Sequence, residues 1–451
     1  MQALRLLAKR QAWLCVALLS SVSMSLFWNR LPRDSAASPA SIGFPRARPL
    51  TDLFQPWFGA RELFLRHRDP YGPEVTREIQ IAFYGKGIGA SDVSRHPEAQ
   101  FGLAYRFAYP LYVVLFVAPA IGMQFSTAQT VYWWLLLTAT AVSVPLWLNA
   151  LRIRLPLAGL IALCGIVLTS LPVMQGLHLR QLGLLAAALI AGAAASIVSG
   201  HLFLAGVLLA LATIKPQLSL LAIAWFALWI CAEWRQRRAL AWGFCTTLAA
   251  LVLASELLLP GWVWRFQCAL LNYATHAGTT SFVGMLLPSP LQWLVFALGG
   301  FATAVFCWHA RGLPAESASW AVALALVLDF TTLVMPTVVA PYNHVLLLPG
   351  ALLVIDRWQE LWGRSAATRI ASLFFCVLAL LPWMLVLILT LATITWQARD
   401  STVPSVPFYA GLGLPLAAFG LLILLSWTPR TAASICPTSG STEITRMQDS
   451  N

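Results

Sequence analysis

Side chains that could take part in chemistry gather at the ends of apolar segments, on what the charge pattern predicts to be one side of a membrane. Carboxylates among them can accept a proton, and cationic side chains can hold an anionic group. A conductive or proton-coupled transporter would keep ionisable groups near the bilayer midplane, where only Asp329 clearly falls. The distribution therefore favours a site at the outer face, among Asp52, Asp69, Arg106, Arg180, Gln181, Lys215, His276 and His344.

Lys215 interrupts a run that is apolar on both sides, with ALATI before it and LSLLAIAWF beyond Pro216-Gln217. Pro216 predicts a break in the helix at this point. A cation at that depth needs an anion, and the alternative is a lysine that extends its ammonium from a span end to the interface. The residues alone leave both interpretations open.

Several other chemistries find no support in the motifs. The chain has no DxD sequence for metal-dependent use of nucleotide sugars and no GxxxxGK[ST] loop for ATP. Its eight cysteines, of which Cys268 falls in the predicted loop 259–289, show neither a paired framework nor CxxC spacing, which argues against disulfides and zinc. We therefore predict no metal ligands and no cofactor, and a metal requirement stays open.

The composition is that of an all-α, polytopic integral membrane protein. Of 451 residues, 59% are hydrophobic and only 10% charged, and the mean hydropathy is +0.74, whereas soluble domains carry roughly 25% charged residues. The formal charge of +12 comes as short clusters between apolar segments, with no basic stripe, so nucleic acid is not a predicted partner. The partners that the composition implies are membrane lipids.

Apolar segments of about the length of a bilayer crossing predict about twelve transmembrane helices. The segment 107–123 carries Pro110 and Pro119, and counting it as a crossing would put the basic loops outside, against the positive-inside rule. We therefore place it at the outer surface or as a re-entrant segment, with the N-terminus cytoplasmic. The spans are 11–28 (a retained signal anchor), 129–150, 156–174, 182–199, 201–214, 217–233, 240–258, 290–309, 318–336, 342–356, 370–392 and 408–427.

This topology predicts one transmembrane domain over 1–430 and a disordered cytoplasmic tail over 431–451. Residues 29–128 form a large outer loop, in which Phe54, Trp57 and Phe58 indicate a helix at the membrane interface. The smaller outer segments are 175–181, 215–216, 259–289, 337–341 and 393–407.

Short motifs on this predicted outer side occur in an order known from one family. The chain resembles the C-type glycosyltransferases that use polyprenyl-phosphate sugars, in particular the bacterial mannosyltransferase-like branch of lipoglycan synthesis. Two motifs depart from the family pattern: the usual Tyr-Pro-Pro is Tyr109-Pro110-Leu111, and the usual Gly-Gln is Arg180-Gln181. The resemblance covers about residues 1–430 and rests on Asp52, Asp69-Pro70-Tyr71, Tyr109-Pro110, Arg180-Gln181, Lys215-Pro216 and Pro341-Tyr342-Asn343-His344.

The resemblance implies that Asp52 is the catalytic base. One carboxylate can suffice because a sugar on a lipid phosphate already has a good leaving group; the alternative is an N-cap for the helix that follows, since Pro56 falls in its first turn. The resemblance further implies donor-phosphate contacts from Lys215, Arg180, Arg106 and His344, although His344 could equally cap a helix. Gln181, Tyr109, Asn343, Tyr273 and His276 are the remaining substrate or acceptor candidates. Asp69 with Tyr71 is expected to shape a turn rather than to react, because Asp-Pro favours the start of a turn.

The function expected is inverting transfer of a hexose or pentose from an outer-leaflet polyprenyl-phosphate sugar to a lipid or glycan acceptor. The expected location is the bacterial inner (plasma) membrane, with an extracytoplasmic site. Two alternatives of other classes are a flippase for lipid-linked glycans and a non-catalytic scaffold whose cations bind anionic lipid.

Overall fold

The described part of the chain is a bundle of helices without strands. The computed structural model describes residues 18–19, 21–26, 50–88, 103, 105–276, 281–335, 340–396, 407 and 410–426. Short 3-10 helices cover Ala118–Ala120, Ala212–Ile214 and Pro341–Leu347. The α-helices are α1 Phe54–Arg66, α2 Pro73–Tyr84, α3 Val113–Val117, α4 Phe125–Ala150, α5 Leu157–Leu168, α6 Leu171–Leu179, α7 Gly183–Val198, α8 Leu202–Leu211, α9 Pro216–Ala232, α10 Trp234–Leu258, α11 Trp262–His276, α12 Phe282–Leu286, α13 Ser289–Ala310, α14 Ala318–Val334, α15 Leu348–Asp356, α16 Trp358–Arg364, α17 Ala366–Trp396 and α18 Leu414–Ser426.

Four of the described helices are long and apolar enough to cross a membrane: α4, α10, α13 and the 366–391 part of α17. The pair α5 and α6, bent by 59° at its break, makes a fifth if it counts as one span. Further apolar helices of 10–17 residues include α7, α9, α14 and α18. The all-helical membrane class is confirmed, whereas the number of twelve crossings stays a prediction. Most of the predicted anchor 11–28 and the whole tail 431–451 lie outside the described residues.

Two predicted segments take a more definite form in the structure. Within 107–123, α3 and the 3-10 turn after it are short, and Leu111, Val113 and Val117 are fully buried. The segment 259–289, predicted as a loop, is largely helical, because α11 occupies 262–276. Cys268 therefore lies within a helix and not in a loop, which corrects the sequence interpretation.

Proline residues and residues with a non-helical backbone interrupt the helices, and these breaks position side chains of the candidate site. The 3-10 turn ends at Ile214, Lys215 takes a non-helical conformation (φ −124°, ψ 79°), and α9 begins at Pro216. This confirms the predicted break, since proline has no N–H to continue the preceding helix and suits the first turn of the next. The break leaves Lys215 at the junction of two apolar helices.

The helices α8 and α10 cross in backbone contact. A Cβ at Gly206 would overlap the carbonyl of Leu240 and the amide of Phe244, and a Cβ at Gly243 would overlap the carbonyl of Phe203. Small residues at such a crossing let two helices approach closely in a bilayer. The position of α8, and with it that of Lys215 at the far end, is fixed by this contact.

The first outer region is folded onto the bundle. Phe54 and Trp57 of α1 are buried, and the indole of Trp57 donates to the Ala120 carbonyl at 2.9 Å. Buried Glu62 accepts from Arg66 and Arg68, each at 3.0 Å. The predicted interfacial helix exists, but its aromatic face packs on protein.

Candidate functional site

The candidate site lies where several helices begin or end at the same end of the bundle. Helix α6 ends at Leu179 and α7 begins at Gly183, α9 begins just after Lys215, and the 3-10 helix 341–347 packs against α6 and α7. Four segments predicted on one side of the membrane thus come together: the region of Asp52, the α6–α7 connection, the α8–α9 junction and the start of the 341–347 turn.

Asp52, Gln181 and Lys215 form a hydrogen-bonded line. The side-chain amide of Gln181 donates through Nε2 to Oδ2 of Asp52. Its other end, Oε1, accepts from Nζ of Lys215 at 2.6 Å. The structure therefore joins a carboxylate and an ammonium through one amide, although the three residues are distant in sequence.

Aromatic rings and burial shape the environment of Lys215. Its side chain is 7% exposed, and Nζ lies 5.8 Å from the ring centroid of Tyr109 and 5.5 Å from that of Tyr342. Burial lowers the pKa of the Lys215 ammonium to about 8, and the nearby Asp52 carboxylate partly offsets this. The cation is thus held in an apolar setting in which an anion would be strongly favoured.

The backbone adds positive potential at the same place. Lys215 is the N-cap residue of α9, and Gln181 directly precedes the N-cap of α7. The first N–H groups of a helix lack intrahelical partners, and the helix dipole is positive at that end. Two helix N-termini therefore reinforce the charge of Lys215.

Three buried polar atoms close to this line have no hydrogen-bond partner among the described residues: Oγ1 of Thr51, Nε2 of Gln175 and Nε2 of His344. Gln175 is fully buried, and its Oε1 accepts from the backbone N–H of Tyr342 at 3.0 Å. Buried polar groups usually find partners, and each of these atoms can donate a hydrogen bond. The arrangement is suited to a ligand rich in acceptor oxygens.

Sequence reasoning missed Gln175 as a site residue. The signal was an amide side chain within an apolar helix, six residues before Gln181, but its significance depends on Tyr342, which is 167 residues away.

Asp52 does not cap the helix that follows it. The N-cap of α1 is Leu53, whose side chain makes no capping hydrogen bond. The backbone N–H of Asp52 donates to the Leu179 carbonyl at the end of α6, at 3.0 Å. This bond brings Asp52 to the α6–α7 connection, and the N-cap interpretation is wrong.

Arg180 occupies a position that suits glycine. Its backbone is left-handed (φ 53°, ψ 46°), the Gln181 N–H donates to Gly176 O at 2.8 Å, and the Arg180 N–H donates to Leu177 O at 3.2 Å. This is the Schellman arrangement, which usually has glycine at the left-handed residue. The family that the chain resembles usually has glycine directly before this glutamine, and the left-handed backbone at Arg180 explains that preference.

The guanidinium groups of Arg180 and Arg106 are engaged by carbonyls. Arg180 donates to His178 O at 2.6 Å, Leu177 O at 3.3 Å and Gln129 O at 3.5 Å. Arg106 donates twice to Leu103 O. To make the predicted phosphate contacts, the two guanidinium groups would have to leave these backbone carbonyls and donate to the phosphate instead.

The remaining candidates divide between the two sides of the site. Asn343 is buried near the start of α7, since a Cβ on Gly183 would lie 3.7 Å from its Oδ1. Tyr273 and His276 lie on α11, where His276 Nδ1 is 2.7 Å from Asn272 O. The surrounding protein and then the Asp52 carboxylate raise the pKa of Tyr273.

Contacts with the first outer region hold α11 and Tyr109 in place. Arg265 of α11 pairs with Asp69. Asp69 Oδ1 also accepts from the Tyr71 N–H at 2.9 Å, which confirms the predicted turn, and the Tyr71 hydroxyl donates to Tyr109 O at 2.7 Å. The turn at Asp69 thus links α11 to one aromatic wall of Lys215.

The fold and the site together define an all-helical membrane protein with a buried acid–amide–ammonium line at one end of its bundle. The model of glycosyltransferase family 87 matches residues 107–336, slightly more than half of the chain, and the chain belongs to this family. It is a family of C-type membrane glycosyltransferases, so the resemblance is confirmed at that level, and the mannosyltransferase branch stays a prediction. No curated protein and no solved structure matches the chain.

Proposed function

We propose that the protein transfers a hexose or pentose from a polyprenyl-phosphate sugar to a hydroxyl of a lipid or glycan acceptor, with inversion at the anomeric carbon. Family membership supports the glycosyltransferase class. The observation that carries the finer proposal is the line from Asp52 through Gln181 to Lys215. In this line, only the side-chain amide of Gln181 separates a proton acceptor, Asp52, from a cation that can bind an anion, Lys215.

Asp52 acts as the general base in this proposal. It takes the proton of the acceptor hydroxyl while the acceptor oxygen attacks the anomeric carbon. The bond from that carbon to the phosphate oxygen breaks, and the electron pair leaves with polyprenyl phosphate. A single displacement of this kind inverts the anomeric centre, and the phosphate leaving group needs no second carboxylate to protonate it.

Lys215 holds the donor phosphate and stabilises the charge that develops on it. An ammonium has three N–H donors, and Gln181 engages one of them. Two donors and two helix N-termini can meet the phosphate oxygens, where electrostatic stabilisation in a dry site is most effective. Gln175 and His344 supply further donors in the proposal, whereas Arg180 and Arg106 contribute only after they leave their carbonyl partners.

Location and sidedness belong to the same proposal. The site is placed on the extracytoplasmic side of the bacterial plasma membrane, where the donor lipid enters laterally and membrane lipids surround the bundle. The support is that Asp52, Gln181 and Lys215 come from segments that the positive-inside rule assigns to one face, and that Tyr342 begins a predicted span at that face.

The test is transfer of radiolabelled sugar from a panel of polyprenyl-phosphate sugars to membrane lipid acceptors, for wild type and for Asp52→Asn. We expect the wild type to transfer and Asp52→Asn to lose at least about a hundredfold in turnover, while donor binding is retained. Asp356→Asn is the matched control, because Asp356 is exposed at the other end of α15. Equal turnover by wild type and Asp52→Asn would remove Asp52 from the mechanism, and movement of intact lipid-linked glycan across vesicles without transfer would favour the flippase.

A further inference from the structure

The turn that ends α6 holds Asp52 at two points. The backbone N–H of Asp52 donates to the carbonyl of Leu179 at 3.0 Å, and Oδ2 of its carboxylate accepts from the side-chain amide of Gln181, two residues further on. The backbone of Gln181 is itself fixed, because its N–H donates to Gly176 O at 2.8 Å and its carbonyl accepts from the Leu184 N–H at 3.1 Å. One turn therefore sets both the main-chain position and the carboxylate position of Asp52.

The side-chain amide of Gln181 has only one favourable orientation between its two partners. An ionised carboxylate only accepts hydrogen bonds, and a charged ammonium only donates them. With Nε2 towards Asp52 and Oε1 towards Lys215, both ends of the amide are satisfied. A flipped amide would set two acceptors against each other at Asp52 and two donors against each other at Lys215. The opposite charges of the partners therefore lock the amide in place.

Burial distinguishes Gln181 from the carboxylate that it holds. The Gln181 side chain is 3% exposed, whereas Asp52 is partly exposed. Both polar atoms of the Gln181 amide already have charged partners, and hydrogen bonds to charged groups are stronger than bonds between neutral groups. A substrate hydroxyl therefore gains more from the carboxylate of Asp52 than from the amide of Gln181.

We infer that Gln181 is a positioning residue that acts through Asp52 and binds neither donor nor acceptor itself; this inference rests on the proposed function. The N–H that it donates favours the ionised form of the carboxylate, which is the form that can take a proton. It also holds the carboxylate in one position before the acceptor arrives, which lowers the entropy cost of the reaction. Its Oε1 atom keeps Lys215 at a fixed distance from the base, so the attacking and leaving ends of the reaction keep one geometry.

Gln181→Leu removes both hydrogen bonds and keeps an uncharged side chain at the buried position. We expect kcat to fall about ten- to hundredfold, the range that hydrogen bonds to charged groups contribute. The Kd of a polyprenyl-phosphate sugar should change less than about threefold, because Lys215 keeps its charge. The acidic limb of the kcat profile should move up by about one pH unit, since a carboxylate without this donor takes up a proton more easily.

Gln181→Glu separates positioning from a merely structural role. A protonated carboxyl has the shape of the amide, can donate to Asp52 and can accept from Lys215. Two neighbouring carboxyl groups share one proton at low pH, whereas at higher pH their charges repel each other. We therefore expect kcat of Gln181→Glu to be about tenfold above that of Gln181→Leu near pH 5.5 and close to it near pH 8. A loss of packing alone would give no such dependence on pH.

The experiment measures transfer of radiolabelled sugar from polyprenyl-phosphate sugars to membrane lipid acceptors across this pH range, together with equilibrium binding of the donor. Gln236→Leu is the matched control, because Gln236 is exposed at the start of α10, at the other end of the bundle, and it should change neither quantity. Gln181→Leu is also made in the Asp52→Asn background. We expect no further loss of kcat there, because residues that act as a unit do not have additive effects.

Three results would overturn the inference and leave the proposed function standing, provided that the wild type transfers and Asp52→Asn does not. The first is a kcat of Gln181→Leu equal to that of the wild type. The second is a raised KM for donor or acceptor at unchanged kcat, which would mean that Gln181 contacts the substrate. The third is a full additional loss in the Asp52→Asn background. If Gln181→Leu does not fold, the pH dependence of Gln181→Glu against the wild type decides. No transfer by the wild type from any donor would defeat the proposed function itself, and this inference with it.

Discussion

Raising the pH from 7 to 9 should weaken donor binding about tenfold, because the ammonium of Lys215 loses its proton. Burial lowers the pKa of Lys215 to about 8, from about 10.4 for an unperturbed lysine. The charged form is therefore present below pH 8 and is lost above it. With a pKa near 8, roughly nine tenths of the molecules carry the charge at pH 7 and one tenth at pH 9, a tenfold change that corresponds to about 1.4 kcal/mol.

The assay is equilibrium binding of a polyprenyl-phosphate sugar in the absence of acceptor, since its phosphodiester keeps one negative charge over this range. Lys215→Arg should bind with little pH dependence, because a guanidinium stays charged. Lys215→Met should bind weakly at both pH values. Asp52 raises the pKa of Lys215, so Asp52→Asn should move the midpoint of the binding curve below that of the wild type.

Two results would refute this reasoning in different ways. Wild-type affinity that stays flat from pH 7 to 9, with Lys215→Met much weaker, would mean that Lys215 binds the donor but titrates well above 9. Affinity of Lys215→Met equal to that of the wild type would mean that Lys215 does not contact the donor phosphate at all.

The remaining predictions concern the parts that hold the site in place. Gly206→Ala should destabilise the protein by at least about 2 kcal/mol, because the new Cβ meets backbone and not a movable side chain. Thermal unfolding in detergent measures this loss of stability. Gly312→Ala is the control and should have no comparable effect, because its Cβ meets nothing within 4 Å. Glu62→Ala should cost about 2 kcal/mol in the same assay, because it removes charge-assisted hydrogen bonds to a buried carboxylate, whereas Glu74→Ala, at an 84% exposed side chain, should change little. Arg180→Gly should leave the KM for donor near the wild-type value, because glycine accepts the left-handed backbone; a tenfold rise in KM would show instead that the guanidinium binds the phosphate.

Local rules allowed part of the site to be predicted from sequence. The break at Lys215-Pro216 follows from the missing N–H of proline, and the turn at Asp69 follows from the tendency of Asp-Pro to start turns. Both features depend on neighbouring residues only. The all-helical membrane class was equally predictable, because composition alone excludes a soluble fold.

The parts that were not predicted depend on contacts between distant segments. Whether Asp52 caps its own helix or meets Gln181 cannot be decided locally, since both are ordinary uses of an aspartate. The helical form of 262–276 was missed because its polar and apolar residues resemble those of an interfacial loop, and Arg265 finds its partner Asp69 196 residues earlier. One of the three carbonyl bonds of Arg180 likewise depends on a distant residue, Gln129, which belongs to another helix; the other two are to the nearby Leu177 and His178.

The spread of the site along the chain has a consequence for biosynthesis. Asp52 leaves the ribosome first, Gln181 follows 129 residues later, and Tyr342 comes 167 residues after Gln175. At about 5–20 residues per second, roughly 15–60 s pass between the synthesis of Asp52 and that of Tyr342, whose ring lies beside Lys215. A nascent chain can therefore expose its carboxylate to the membrane surface long before it can hold a donor lipid, and the site becomes complete only when most of the bundle has been inserted.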